Sequence, residues 1–146
     1  MRLKNIRMMD ADQAIRERRD FGVKATAWAR ENLDVVHSLR GYVPLRALGF
    51  HGPEMNERRA LPAEYFRAMV DEMQRRKAAY IVESYNTVIA WVDDDGGVHM
   101  PPFRHSLATT QHQHTARYAL EGKRMGFYNV ERSELSHAGT IGRPGY

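Results

Sequence analysis

The stretch Tyr80-Ile-Val-Glu-Ser-Tyr-Asn-Thr-Val-Ile-Ala-Trp-Val92 holds two runs rich in β-branched and aromatic residues, parted by Asn86. Such residues suit the pleated surface of a sheet, and Asn tolerates the left-handed conformation of a tight turn. The pattern predicts strands over 80–85 and 87–92. Asp95-Gly96 then offers a two-residue hairpin turn, whose central positions both need positive φ. Val98-His-Met100 returns as a third strand until Pro101-Pro102 ends the pairing, because proline cannot donate to a ladder. Pairing Asp94 with Gly97 sets Trp91 opposite Met100 and Val92 opposite His99. A meander of at least three antiparallel strands follows.

Upstream, Leu61, Tyr65, Phe66, Met69, Val70 and Met73 recur at spacings of three and four, which makes one broad apolar helical face. Pro62 suits the first helical position. The basic residues ending at Lys77 complement the negative end of the helix dipole. Downstream, Thr110-Gln-His-Gln113 has capping-box spacing, so a second helix is expected to start there and to stop at Gly122. A third, from Asp10 to Arg19, carries a thin stripe of Ala14 and Ile15 and is expected on the surface, with Phe21-Gly22 as its stop. Between 23 and 50 the pattern is weak. Thr26-Ala-Trp-Ala-Arg30 reads as a short strand or a helix start, and Trp28 as an anchor in the core. Residues 40–56, punctuated by Gly41, Pro44, Gly49, Gly52 and Pro53, read mostly as loop. The fold class is therefore α+β, a small antiparallel β-meander packed by two or three helices. It is expected as a single domain over 1–122, with 123–146 a basic, glycine-containing, mobile tail.

A chain of 146 residues suits one domain. Zero cysteines exclude disulfides, thiolate zinc sites and cysteine nucleophiles. No apolar run approaches the roughly 20 residues of a membrane span, and no signal-peptide pattern opens the chain. These features imply a cytoplasmic protein without a membrane partner. The net charge of +4 is unevenly spread: residues 1–20, 57–77 and 123–146 each carry a surplus of two basic groups, whereas 80–105 is net −3. A mildly basic helical shell around an acidic hairpin permits nucleic acid as a partner without requiring it. The residues for that role are Arg58, Arg59, Arg75, Arg76 and Lys77.

Chemistry has one candidate location. Ser106, Thr109, Thr110 and His112 gather at a predicted helix N-terminus, where a hydroxyl beside an imidazole makes a nucleophile–base pair and backbone amides favour anions. Helix capping by Thr110 explains the same spacing without catalysis. The four are therefore read as binding residues for an anion or partner, and no residue is assigned as catalytic. No metal or cofactor is expected. His112 and His114 sit two apart and point to nearly opposite sides of a helix. Joining His105 to His112 with a hairpin aspartate needs a tertiary coincidence, and the triplet Asp93–Asp95 beside two glycines reads as a solvated turn rather than a calcium loop.

The segments Ser84-Tyr-Asn-Thr-Val-Ile-Ala-Trp91, His99-Met-Pro101 and Ser106-Leu-Ala-Thr-Thr-Gln-His-Gln113 together resemble a small domain of uncharacterised proteins from actinobacteria and their phages. There a Ser-Tyr-x-Thr-x-Ile-Ala-Trp strand leads to a hairpin and then to a Tyr-Ser-x-Thr-Thr-x-x-His-Gln segment. Here His105 replaces the tyrosine, and the final pair becomes Gln-His-Gln. Ala14–Phe21 and Leu61–Tyr65 are similar to the same domain's lead-in. The resemblance implies a small phage-encoded accessory protein and assigns no activity. The leading reading is thus a non-enzymatic protein that binds a host protein through residues 40–56 or a sheet edge. A nucleic-acid-binding module comes second, and an enzyme using Ser106, Thr109 and His112 third.

Overall fold

The computed structural model describes residues 3–44, 61–103 and 106–122. In chain order its elements are a 3-10 turn (Met8–Asp10), α1 (Ala11–Arg16), β1 (Phe21–Lys24), α2 (Ala27–Asn32), β2 (His37–Tyr42), α3 (Ala63–Arg75), β3 (Tyr80–Ser84), β4 (Thr87–Val92), β5 (Val98–His99) and α4 (Leu107–Glu121). The five strands form one sheet in sequence order, each antiparallel to the next. This is the α+β meander expected, extended by two strands on the N-terminal side.

All residues of β3 and β4 are buried, because helices cover both faces of the sheet. On one face, Phe66, Met69 and Met73 of α3 join Tyr42, Ile81, Val88 and Trp91 in a single apolar cluster. On the other, Ala11, Ala14 and Ile15 of α1 and Ala116 and Ala119 of α4 meet Phe21, Leu39, Tyr80, Val82, Ile89 and Val92. The alternation of Tyr80, Ile81 and Val82 between these clusters is the two-residue period of a strand. α1 was expected on the surface, yet Ala11, Ala14 and Ile15 are at most 1% exposed. Small alanines make a weak stripe in sequence but let two helices and a sheet approach closely.

The β3–β4 turn has Tyr85 at φ 48° and Asn86 at φ 68°. Positive φ at both central positions defines the hairpin turn whose twist matches the strands. Asn accepts that conformation readily, whereas for a bulky tyrosine it is strained. The β4–β5 turn differs from expectation. Gly96, at φ +85°, has positive φ, and Asp95 does not. Gly96 N donates to Asp93 O at 3.0 Å and Asp93 N to Gly97 O at 2.9 Å, so three residues form the loop. The register moves accordingly, with Trp91 opposite His99 and Val92 opposite Val98.

Other expectations shift by local physics. Pro62 precedes the first turn of α3 as its N-cap, with extended ψ of 142°. Phe21-Gly22 opens β1 instead of ending α1, which closes at Glu17 with Arg18 in left-handed conformation. Thr26 caps α2, its hydroxyl accepting from Ala29 N. Trp28 is 63% exposed and anchors nothing in the core. Gly122, at φ 69°, ends α4 as predicted, donating its N–H to Tyr118 O. Most of the 40–56 loop and the tail 123–146 lie outside the described residues. No described helix is long and apolar enough to cross a membrane.

Candidate functional site

The segment predicted as a binding site is where α4 meets the sheet. Its N-cap is Ser106, whose hydroxyl accepts from Thr109 N at 3.3 Å, so the helix starts before Thr110. Thr110 and Gln113 are buried inside the helix instead of forming a capping box, and Gln113 Nε2 donates to Phe103 O at 3.0 Å. Thr109 and His112 come together on a residue the sequence did not single out. Ser84 Oγ lies 2.9 Å from Thr109 Oγ1 and 2.7 Å from His112 Nδ1. The Tyr85 ring stacks on His112 with centroids 5.9 Å apart. Burial pushes the His112 pKa down to about 4, so its imidazole is neutral at pH 7. A serine hydroxyl at this distance from an imidazole has the geometry of a nucleophile and its base. Ser84 is wholly buried, however, and both of these partners are protein side chains. The cluster satisfies polar groups that α4 brings into the sheet contact, and Ser106 stands beside it as the helix cap on Thr109 N.

A second cluster is built on the β4–β5 hairpin. Asp93 is 3% exposed. Its Oδ1 accepts from Asp95 N at 2.9 Å and Gly97 N at 2.8 Å, and its Oδ2 lies 2.8 Å from His99 Nε2. The His99 bond above all, then the Gly97 and Asp95 amides and nearby Arg76, holds the Asp93 carboxyl down at about 2, against the opposing effect of burial. His99 also stacks on Trp91, 4.1 Å between centroids and 12° from parallel. Arg76 reaches Asp93 at 3.5 Å and Asp95 at 3.1 Å. Asp93 is therefore a structural hub and not part of a solvated turn. Ligand atoms of Asp93, Asp94 and Asp95 lie within 4.8 Å of one another, but both oxygens of Asp93 already hold protein donors. Gly97 is required here, since a Cβ would sit 2.7 Å from Asp93 Oδ2.

The third cluster is one that sequence reasoning missed. Glu83, 2% exposed, accepts from Arg40 Nε at 2.9 Å and from the Tyr42 hydroxyl. The Arg40 guanidinium also stands 5.8 Å from the centre of the Tyr42 ring. A charged residue between Val82 and Ser84 in an otherwise apolar strand was the available signal. His37 lies near Arg40, and burial together with that positive charge lowers its pKa.

Of the basic residues read as a nucleic-acid footprint, Arg58 and Arg59 lie outside the described residues. Arg75 pairs with Glu72, and Arg76 with the hairpin aspartates. Lys77 is exposed, in left-handed conformation at φ 54°. The described surface instead exposes apolar side chains: Trp28 and Val36, both 63% exposed, adjoin in sequence Ala29 and Val35, which form a small cluster with Ala25 against which Leu33 and Tyr85 pack. No protein family, curated protein or solved structure matches the chain.

Proposed function

We propose that the protein works by binding another protein through the surface around Trp28 and Val36, and carries out no bond-making chemistry. The observation that carries this reading is Trp28 itself. A side chain that buries roughly 150–250 Å² when covered stands 63% exposed on a six-residue helix. Tryptophan is the residue type most enriched among interface anchors. The polar clusters support the same reading from the other side, because Ser84, Glu83 and Asp93 are buried and bonded to protein groups. Local acids neutralise Arg75 and Arg76, which ranks nucleic acid lower. The resemblance to proteins of actinobacterial phages makes a bacterial host protein the expected partner.

The test begins with capture of a partner from host lysate and continues by calorimetry with both proteins purified. Trp28→Ser together with Val36→Ser is expected to weaken binding by at least about thirtyfold, the loss typical of an interface anchor. Met9→Ser, more exposed still at 72% on the 3-10 turn, is the control expected to change nothing. Equal affinity for wild type and the double variant would refute the reading. Steep loss of binding to random DNA with added salt would point to the basic residues instead.

A further inference from the structure

β1 is an edge strand, and its outer side is covered by residues near the start of the chain. Ile6 N donates to Gly22 O at 2.9 Å, and Gly22 N donates to Lys4 O at 2.8 Å. Together they make an isolated parallel bridge between Asn5 and Gly22. Side chains of this segment alternate as in a strand. Leu3, 5% exposed, joins the α3-side cluster with Tyr42, Leu61 and Phe66. Ile6 packs against the opposite cluster, which contains Phe21 and Leu39.

Two features make this segment a replaceable neighbour. Among the described residues, both of its backbone hydrogen bonds to the sheet go to Gly22, one residue of a four-residue strand. It also runs parallel beside a sheet whose strands all pair antiparallel, and parallel pairing is slightly less stable per residue. The opposite edge offers much less, because β5 has only two residues.

We propose that the outer edge of β1 is a strand-accepting groove that residues 3–6 hold closed. Its ligand is an extended segment of a partner protein, running parallel to β1, with apolar side chains three positions apart in the seats of Leu3 and Ile6. The chain's own segment displays this chemistry. The backbone groups of Gly22 supply hydrogen bonds that ignore sequence, and two apolar seats on opposite faces of the sheet select side chains. Gly22 also makes room for the His37 ring of β2, with which any Cβ there would collide. The groove lies on the strand edge and goes beyond the Trp28 surface, so variants at Trp28 leave it intact.

The probe is a synthetic peptide with the sequence of residues 1–7, Met-Arg-Leu-Lys-Asn-Ile-Arg, added to the isotope-labelled full chain and followed by amide exchange at Gly22. The tethered segment competes at an effective concentration in the millimolar range, so the wild-type chain binds the peptide only weakly. Ile6→Pro removes the N–H that reaches Gly22 O and leaves Leu3 in place. In this variant the Gly22 amide is expected to exchange at least about tenfold faster, and the peptide to restore protection with at least about tenfold tighter apparent affinity than for wild type. A peptide with both apolar residues changed to serine is expected to restore nothing. Leu3→Ala, read the same way, serves if Ile6→Pro fails to fold. A Gly22 amide that stays protected in the variant overturns the proposal. So does one that is freed and not re-protected, or one re-protected equally by the serine peptide.

Discussion

Replacing Arg40 with Met tests how much of this fold depends on a buried charge. Glu83 is 2% exposed and Arg40 is 22% exposed in its side chain, so the pair sits in the interior more than on the surface. Removing one member of such a pair destabilises by about 3–5 kcal/mol, because the other is left as an uncompensated charge. Tyr42 still donates to the carboxyl in the variant, so the expected loss is about 3 kcal/mol, measured by urea denaturation with linear extrapolation. Changing Glu83 to Leu in the same chain removes the stranded acid, and the double variant should recover to within about 1 kcal/mol of wild type, as hydrophobic replacement of buried pairs commonly does. A loss below about 1 kcal/mol for Arg40→Met would refute the reasoning.

Three further outcomes follow from named geometry. The folded His112 pKa of about 4 lies below its ordinary 6.5, so the fold favours the neutral ring. This contribution is complete above about pH 6.5 and is lost as the pH falls toward 4, amounting to about 3 kcal/mol in all. His112→Asn should abolish that slope in denaturation midpoints between pH 7 and 4. Lys77 is exposed in left-handed conformation, while Ala78 N caps Met73 O behind it at 2.8 Å. Lys77→Gly should therefore raise stability by about 1 kcal/mol, visible as a higher thermal midpoint. Gly41→Ala would press a methyl into the Tyr80 hydroxyl and to 2.6 Å from Phe21 Cε1. The expected loss is about 1–3 kcal/mol from overpacking, and a variant as stable as wild type would show that β2 can shift.

The centre of the fold was legible because β3 and β4 carry their own local signal. Their branched and aromatic residues are buried on both faces, and Asn86 sits at a position that needs positive φ. α3 was legible through its spacing of apolar residues. β1 and β2 were not, since Arg40 and Gly41 fell at the start of a stretch, 40–56, that read mostly as loop. In the sheet Gly41 is a point of close approach beneath Tyr80 and Phe21, and Arg40 is the partner of Glu83. Both roles exist only once distant residues are brought together. The same limit applied to the candidate site. Thr109 and His112 were visible as polar groups, but Ser84, 25 and 28 residues away, was hidden inside a strand. Thr110 and Gln113 satisfied a capping rule by spacing alone, while Ser106, four residues earlier, makes the cap.

A five-stranded sheet with helices on both faces leaves little room for function in its middle. Among the described residues, the buried polar groups of β3 and of the residue following β4 hold helices and turns in place: Ser84 holds α4, Glu83 holds β2, and Asp93 holds the β5 hairpin. What remains for recognition is the periphery, and there the two ends of the sheet differ. The β5 side ends in two residues, then Pro101 and Pro102, and a short edge backed by proline resists strand addition. The β1 side is longer, is covered by a segment bonded at a single residue, and lies only two residues in sequence before the helix that presents Trp28. An exposed tryptophan and this strand edge lie within eight residues of each other in sequence. On the proposed binding reading, partner contact should therefore be sought here first.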